Sequence, residues 1–160
     1  MEYLTEKLKK ASERYHHWIH FVFGSVVWIV SWKWGNHAMS FIVVLIGTYL
    51  PDADHLFFIF GYGRKTEYSE RIRKCLKDGG VCGFIDYSKK NHKNCTWVIS
   101  HNLLSLFISS GLTWAFIVSG HFLLGVLFAS WSLHYIYDIV EDLLSLGRLN
   151  PNWFLRFGGK

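Results

Sequence analysis

Thr48-Tyr49-Leu50-Pro51-Asp52-Ala53-Asp54-His55 places two carboxylates and an imidazole inside an apolar segment. The run from Ala38 to Leu50 leads into it, and Leu56 to Phe60 leads out. An ionised carboxylate in apolar surroundings is costly unless it is paired or binds a metal. Pro51 has no backbone N–H and disturbs a helix where it stands, so carbonyls lose their intrahelical partners there. The stretch predicts a broken apolar helix that carries polar ligands at the break.

The rest of the chain gives this stretch its setting. Its 160 residues correspond to one domain by length. Half of them, 51%, are hydrophobic, and 8 Trp, 8 Tyr and 13 Phe exclude a disordered or low-complexity chain. Long apolar runs alternate with short charged segments, whereas a soluble bundle interleaves polar residues on every helix. The block pattern predicts an all-α integral membrane protein, a four-helix bundle with interfacial segments at both termini.

Charge placement orients that bundle. Of the 17 Lys and Arg, Lys7, Lys9, Lys10 and Arg14 precede the first apolar run. Nine lie between Arg64 and Lys93, and Arg148, Arg156 and Lys160 follow the last run. Only Lys33 lies elsewhere. With four crossings, every basic residue but Lys33 falls on one side, and the positive-inside rule sets both termini in the cytoplasm. The net charge of +5 is thereby accounted for by topology, and no specific nucleic-acid partner is expected. The odd cysteine count, Cys75, Cys82 and Cys95, argues against a disulfide framework. No cleavable signal peptide is expected either, since no small-residue cleavage site follows the first apolar run.

Segment by segment, residues 1–16 read as an amphipathic helix at the membrane interface. Residues 17–60 hold crossings one and two, the first about Trp18 to Trp34 and the second Ala38 to Phe60. Residues 61–95 read as a basic cytoplasmic loop without sustained periodicity, holding a short helix near 67–77. Residues 96–140 hold crossings three and four, and 141–160 form an interfacial tail.

Ionisable groups within membrane segments are functional candidates by default. They form four clusters, one per crossing: His16, His17 and His20; Asp52, Asp54 and His55; His92 and His101-Asn102; and His134 with Asp138. The last pair is spaced i,i+4 and shares one helical face. Crossings one and three run outward and two and four inward, so all four clusters reach a similar depth on the cytoplasmic side. Candidate metal ligands are His20, Asp52, Asp54, His55, His92, His101, His134 and Asp138. Imidazole and carboxylate ligands without an obligatory thiolate suit a divalent metal, above all zinc, and the number of ligands admits two or three ions. His16 and His17 read equally as interfacial residues, His37 and His121 as outer-side interface residues, and Glu141 and Asp142 as support for the site or solvated tail. A competing arrangement would use Cys75, Cys82, His92 and Cys95 as a separate structural zinc site.

The order His20-x-x-x-Gly24, Pro51-Asp52-x-Asp54-His55, His101-Asn102 and His134-x-x-x-Asp138 resembles the LexA-regulated, membrane-bound, predicted metal-dependent hydrolases. That family is grouped with zinc-dependent phospholipase C and zinc nucleases. The resemblance spans about residues 16–153. It departs where the family has a compact His-Arg-Gly segment followed at once by Thr-His-Ser: here Cys95 to Ile99 intervene, Lys93 stands for Arg and Asn102 for Ser. The resemblance implies hydrolase activity. Paired metals commonly serve phosphoryl chemistry, and a basic mouth attracts anionic groups. The expected function is therefore a phosphoesterase acting on a membrane lipid or other phosphorylated substrate, with Asp54, His101 and Lys93 as catalytic residues. The alternative is a non-catalytic metal-binding membrane protein, such as a sensor, transporter subunit or assembly partner.

Overall fold

Apolar residues recur at helical spacing through residues 122–146, and in the computed structural model they form one continuous helix. The structure describes residues 2–32, 37–91, 93 and 98–154. Among these the chain is entirely helical: α1 (Glu2–Ser31), α2 (His37–Tyr49), α3 (Ala53–Phe57) running into a π-helical turn (Phe58–Tyr62), α4 (Glu67–Asn91), α5 (Leu103–Val118) and α6 (Phe122–Leu146), then a short 3-10 turn (Pro151–Trp153). His92 and Cys95 lie outside the described residues, as do Lys33, Arg156 and Lys160.

The helix α6 is the central element, packing against α1, α2 and α5. Small residues bring the helices together. A Cβ on Gly47 would lie 2.5 Å from the Leu127 carbonyl oxygen and 3.0 Å from Ser130 Cβ, so α2 and α6 meet through backbone. A Cβ on Gly24 would lie 2.7 Å from Thr48 Oγ1, the corresponding contact between α1 and α2. Small residues permit this close approach, and hydroxyls add interhelical hydrogen bonds: Ser132 Oγ of α6 donates to Ser109 Oγ of α5 at 2.9 Å. Gly47→Ala is expected to cost about 1–3 kcal/mol through overpacking, read as a lowered midpoint in thermal unfolding.

The opening stretch breaks where Pro51 stands. Three-residue turns replace the helical ladder, with Ala53 N donating to Leu50 O at 3.0 Å and Asp54 N to Pro51 O at 3.2 Å. The segments His37–Tyr49 and Ala53–Tyr62 are bent by 44°. After the bend, Phe58 and Ile59 pack with Tyr68, Ile72 and Val98 in a second core, joined by Phe84 and Tyr87.

That second core explains where the structure departs from the loop expected over 61–95. Residues Glu67–Asn91 are helical, interrupted at Gly80, whose φ of +61° is open to glycine and strained for other residues. The two arms fold back on each other: a Cβ on Gly83 would lie 2.6 Å from the Cys75 carbonyl oxygen, and the Tyr68 and Tyr87 rings stand 6.0 Å apart. Arg73 fastens the hairpin by donating to Ile59 O at 2.7 Å and Arg64 O at 2.6 Å.

Among the described residues, α6 is long and apolar enough to cross a membrane. The bent pair made by α2 and the segment Ala53–Tyr62 also qualifies when taken as one span, and α5 is a shorter apolar helix.

Candidate metal centre

One end of the bundle collects histidines and carboxylates from four elements. His20 comes from α1, Asp52 and His55 from the break after α2, His101 from the turn before α5, and His134 and Asp138 from α6. Each is placed by local structure. The i,i+4 spacing on α6 brings His134 Nε2 to 3.1 Å from Asp138 Oδ2. Asn102 caps α5, its side chain accepting from Ser105 N at 2.8 Å, so His101 immediately precedes a fixed helix start. Ser100 Oγ meets His101 Nδ1 at 3.0 Å, leaving Nε2 towards Asp138 and Asp52.

Asp138 sits between two sides of the cluster. Its Oδ1 is 3.3 Å from His20 Nε2, while its Oδ2 is 3.4 Å from His101 Nε2 and 3.1 Å from His134 Nε2. Asp52 Oδ1 lies 3.6 Å from His134 Nε2 and 3.9 Å from His101 Nε2.

The donor atoms suit a cation. A tetrahedral site with metal–ligand bonds near 2.0–2.1 Å has donor–donor edges of about 3.3 Å, and the observed separations run from 3.1 to 3.9 Å. His20 and His134 are almost fully buried, at 0% and 1% exposure, and their Nε2 atoms lie against Asp138 at 3.3 and 3.1 Å without the alignment of a good hydrogen bond. His55 Nδ1 and Asp138 Oδ1 are likewise buried without one. Buried polar atoms are normally hydrogen-bonded, and converging donor atoms of this kind could hold a metal ion. Among the described residues, four overlapping triads could hold an ion: His16, His20 and Asp138; His16, His17 and Asp52; Asp52, His55 and His101; and His101, His134 and Asp138.

Two expected members have other positions. Asp54 belongs to none of these triads. Its Oδ2 accepts from Ser100 N at 2.7 Å and its Oδ1 from Tyr62 OH at 3.0 Å, and Tyr62 OH in turn accepts from Ile99 N at 3.1 Å. Asp54 thus ties down the turn that presents His101. Lys93 borders the cavity, but its ammonium is held by Glu141 Oε2 and Asp142 Oδ1, both at 2.7 Å. Burial disfavours the Lys93 charge, but the two carboxylates outweigh it and hold the pKa above its usual value of 10.5. His92 lies outside the described residues. So does part of the alternative Cys75, Cys82, His92 and Cys95 site; Cys75 and Cys82 are both free thiols.

Of the two readings the sequence left open for Glu141 and Asp142, the structure favours support for the site. Asp142 Oδ2 accepts from Trp153 Nε1 at 2.6 Å and from Asn150 N at 3.1 Å, and Asn150 Nδ2 donates to Lys93 O at 3.0 Å. The signal was present in Glu141-Asp142, a second pair of acids beside apolar residues.

The cluster opens into a cavity of about 410 Å³. His16, Asp52, His55, His101 and Asp138 line one side, Trp18, Leu56, Ile59, Phe84 and Ile85 supply apolar wall, and Lys89 adds a cation. No protein-family model, curated protein or solved structure matches this chain.

Proposed function

We propose that this chain is a membrane-embedded, zinc-dependent phosphoesterase acting at the cytoplasmic side on a lipid or another phosphoester. The observation that carries the reading is the convergence of buried imidazoles on Asp52 and Asp138 beside a cavity with an apolar wall and Lys89 at its edge. The membrane setting draws support from side chains that water would disfavour. Val22, Val26 and Ile29 on α1, Phe107, Ile108 and Trp114 on α5, and Leu123, Leu124 and Ile136 on α6 are exposed. In this reading α1, the bent α2–α3 unit, α5 and α6 are the four crossings, and both termini face the cytoplasm. The motif resemblance to membrane-bound metal-dependent hydrolases agrees with it.

His20, Asp52, His55, His101, His134 and Asp138 would hold the metal. A divalent cation held there would supply Lewis acidity for phosphoryl chemistry. The two carboxylates balance one such ion, and a second leaves an excess of positive charge suited to an anionic phosphoryl group. The protein's own part is to hold the imidazoles in position. Ser100 Oγ orients His101, Asp54 fixes the backbone that carries Ser100, Lys89 draws anions to the mouth, and the apolar wall receives the rest of an amphiphilic substrate.

The test is elemental analysis of purified protein together with hydrolysis of a panel of phosphoesters and phospholipids. The expected result is at least one zinc per chain and turnover that a chelator abolishes. Less than one bound transition metal per chain would sink the reading. Tight metal binding with no phosphoester consumed favours the non-catalytic metal-binding alternative. Asp54→Asn is expected to retain the metal while slowing turnover, with faster hydrogen exchange at Ile99 and Ser100 as the mark of a loosened turn.

A further inference from the structure

We propose that His16 is also a ligand of this centre, completing with His20 and Asp138 a second cation position beside that of His101, His134 and Asp138, and that Glu141 is the positioning residue that fixes it. This rests on the metal-binding reading and adds to it a residue, a supporting carboxylate and a count of ions.

Asp138 supplies the first line of argument. Its two oxygens face different partners, Oδ1 towards His20 and Oδ2 towards His101 and His134. A carboxylate so placed can bridge two ions, as in sites whose paired metals sit about 3.5–4 Å apart. His20 meets Asp138 through Oδ1, and His16 joins these two residues with one ligand atom from each within 4.8 Å of the others. The same limit holds for His101, His134 and Asp138 on the Oδ2 side. The His16 and His20 rings meet edge to face at 4.5 Å between centroids.

Glu141 supplies the second. Glu141 is fully buried on α6, and its Oε1 lies 3.0 Å from His16 Nδ1. A metal-ligating histidine characteristically gives its other ring nitrogen to a carboxylate, which sets the tautomer and strengthens the ligand. With Nδ1 on Glu141, Nε2 is the ligating atom. A half-buried histidine at a membrane surface needs no such carboxylate, and burying one is costly. Here the Glu141 charge is further held by Lys93, which is itself secured by Asp142. Two buried carboxylates and a half-buried lysine thus stand together where Glu141 holds one imidazole against the cluster.

The experiment is a Zn2+ titration of metal-stripped full-length protein in detergent, with bound zinc counted by elemental analysis after gel filtration. Wild type is expected to bind at least two zinc ions per chain and His16→Asn one fewer. Glu141→Gln, which keeps the side-chain volume, is expected to keep the count but bind the second ion about 10–100-fold more weakly. A merely structural role would lower the thermal midpoint equally with and without zinc; a ligand role reduces the increment that zinc adds. His16→Asn with the wild-type count overturns the proposal and leaves the metal reading standing, as does a wild type that binds a single ion. A wild type that binds none overturns both. Should His16→Asn fail to fold, Glu141→Gln decides the matter: unchanged zinc affinities would overturn the positioning role and, with it, the assignment of His16.

Discussion

Asp138→Asn is expected to empty the centre. The substitution keeps size and shape but removes the charge and replaces one ligating oxygen with an amide nitrogen that carries no lone pair for a metal. Asp138 lies within 3.4 Å of His20, His101 and His134, so the change strikes both sides of the cluster at once. Loss of a supporting residue already weakens metal binding about 10–100-fold, and loss of a carboxylate shared by two triads is expected to exceed the upper end of that range. Bound zinc should fall by at least one ion per chain and phosphoester turnover should vanish, as elemental analysis and a discontinuous phosphate assay would record. Wild-type zinc occupancy in this variant would mean that the carboxylate merely pairs with imidazoles.

Lys93→Met is the second large effect, and it falls on stability. The lysine stem is replaced by a chain of similar length, but Glu141 and Asp142 lose their shared cation. Their side chains are 0% and 5% exposed. Breaking a buried ion pair by removing one partner costs about 3–5 kcal/mol, which for a protein of this size lowers the thermal midpoint by on the order of 10 °C. Lys89→Met, at an exposed position on the cavity rim, is expected to change stability by less than about 0.5 kcal/mol. Adding Asp142→Asn to Lys93→Met should recover part of the loss, because one unpaired carboxylate disappears. The raised Lys93 pKa gives the pH dependence its sign: the contribution is complete below the usual lysine pKa and is lost only as pH rises through the folded-state value. Equal midpoints for Lys93→Met and Lys89→Met would refute the brace and return Lys93 to the role of anion contact.

The sequence showed the grouping of His20, Asp52, His55, His101, His134 and Asp138 because each lies beside an apolar run with a clear direction. Charge placement supplied those directions independently of the ligands. Asp52 and Asp54 looked alike in sequence because both stand in one short motif. Residues two apart point about 200° apart around a helix, and in the structure Asp52 faces the imidazoles while Asp54 faces Ser100 and Tyr62. The helical hairpin over Glu67–Asn91 was hidden for a different reason. Its apolar residues are sparse, and the turn at Gly80 shifts the phase of the pattern, so Tyr68, Ile72, Phe84 and Tyr87 line up only once the arms fold together. Glu141 and Asp142 stayed open between support for the site and solvated tail because His16 and Lys93, which decide between the two, are distant in the chain. Pairings of that kind leave no spacing to read.

The brace on Glu141 and Asp142 also bears on how the protein is made. Ligands at His20, Asp52 and His101 leave the ribosome well before His134 and Asp138, and the residues that hold His16 and Lys93 follow later still. None of the earlier helices encloses the cluster alone. In the proposed reading a metal would therefore find its full ligand set only once α6 has been made, because His134 and Asp138 complete it. A chain that ends before α6 would leave His20, Asp52 and His101 without the partners that Asp138 and His134 supply.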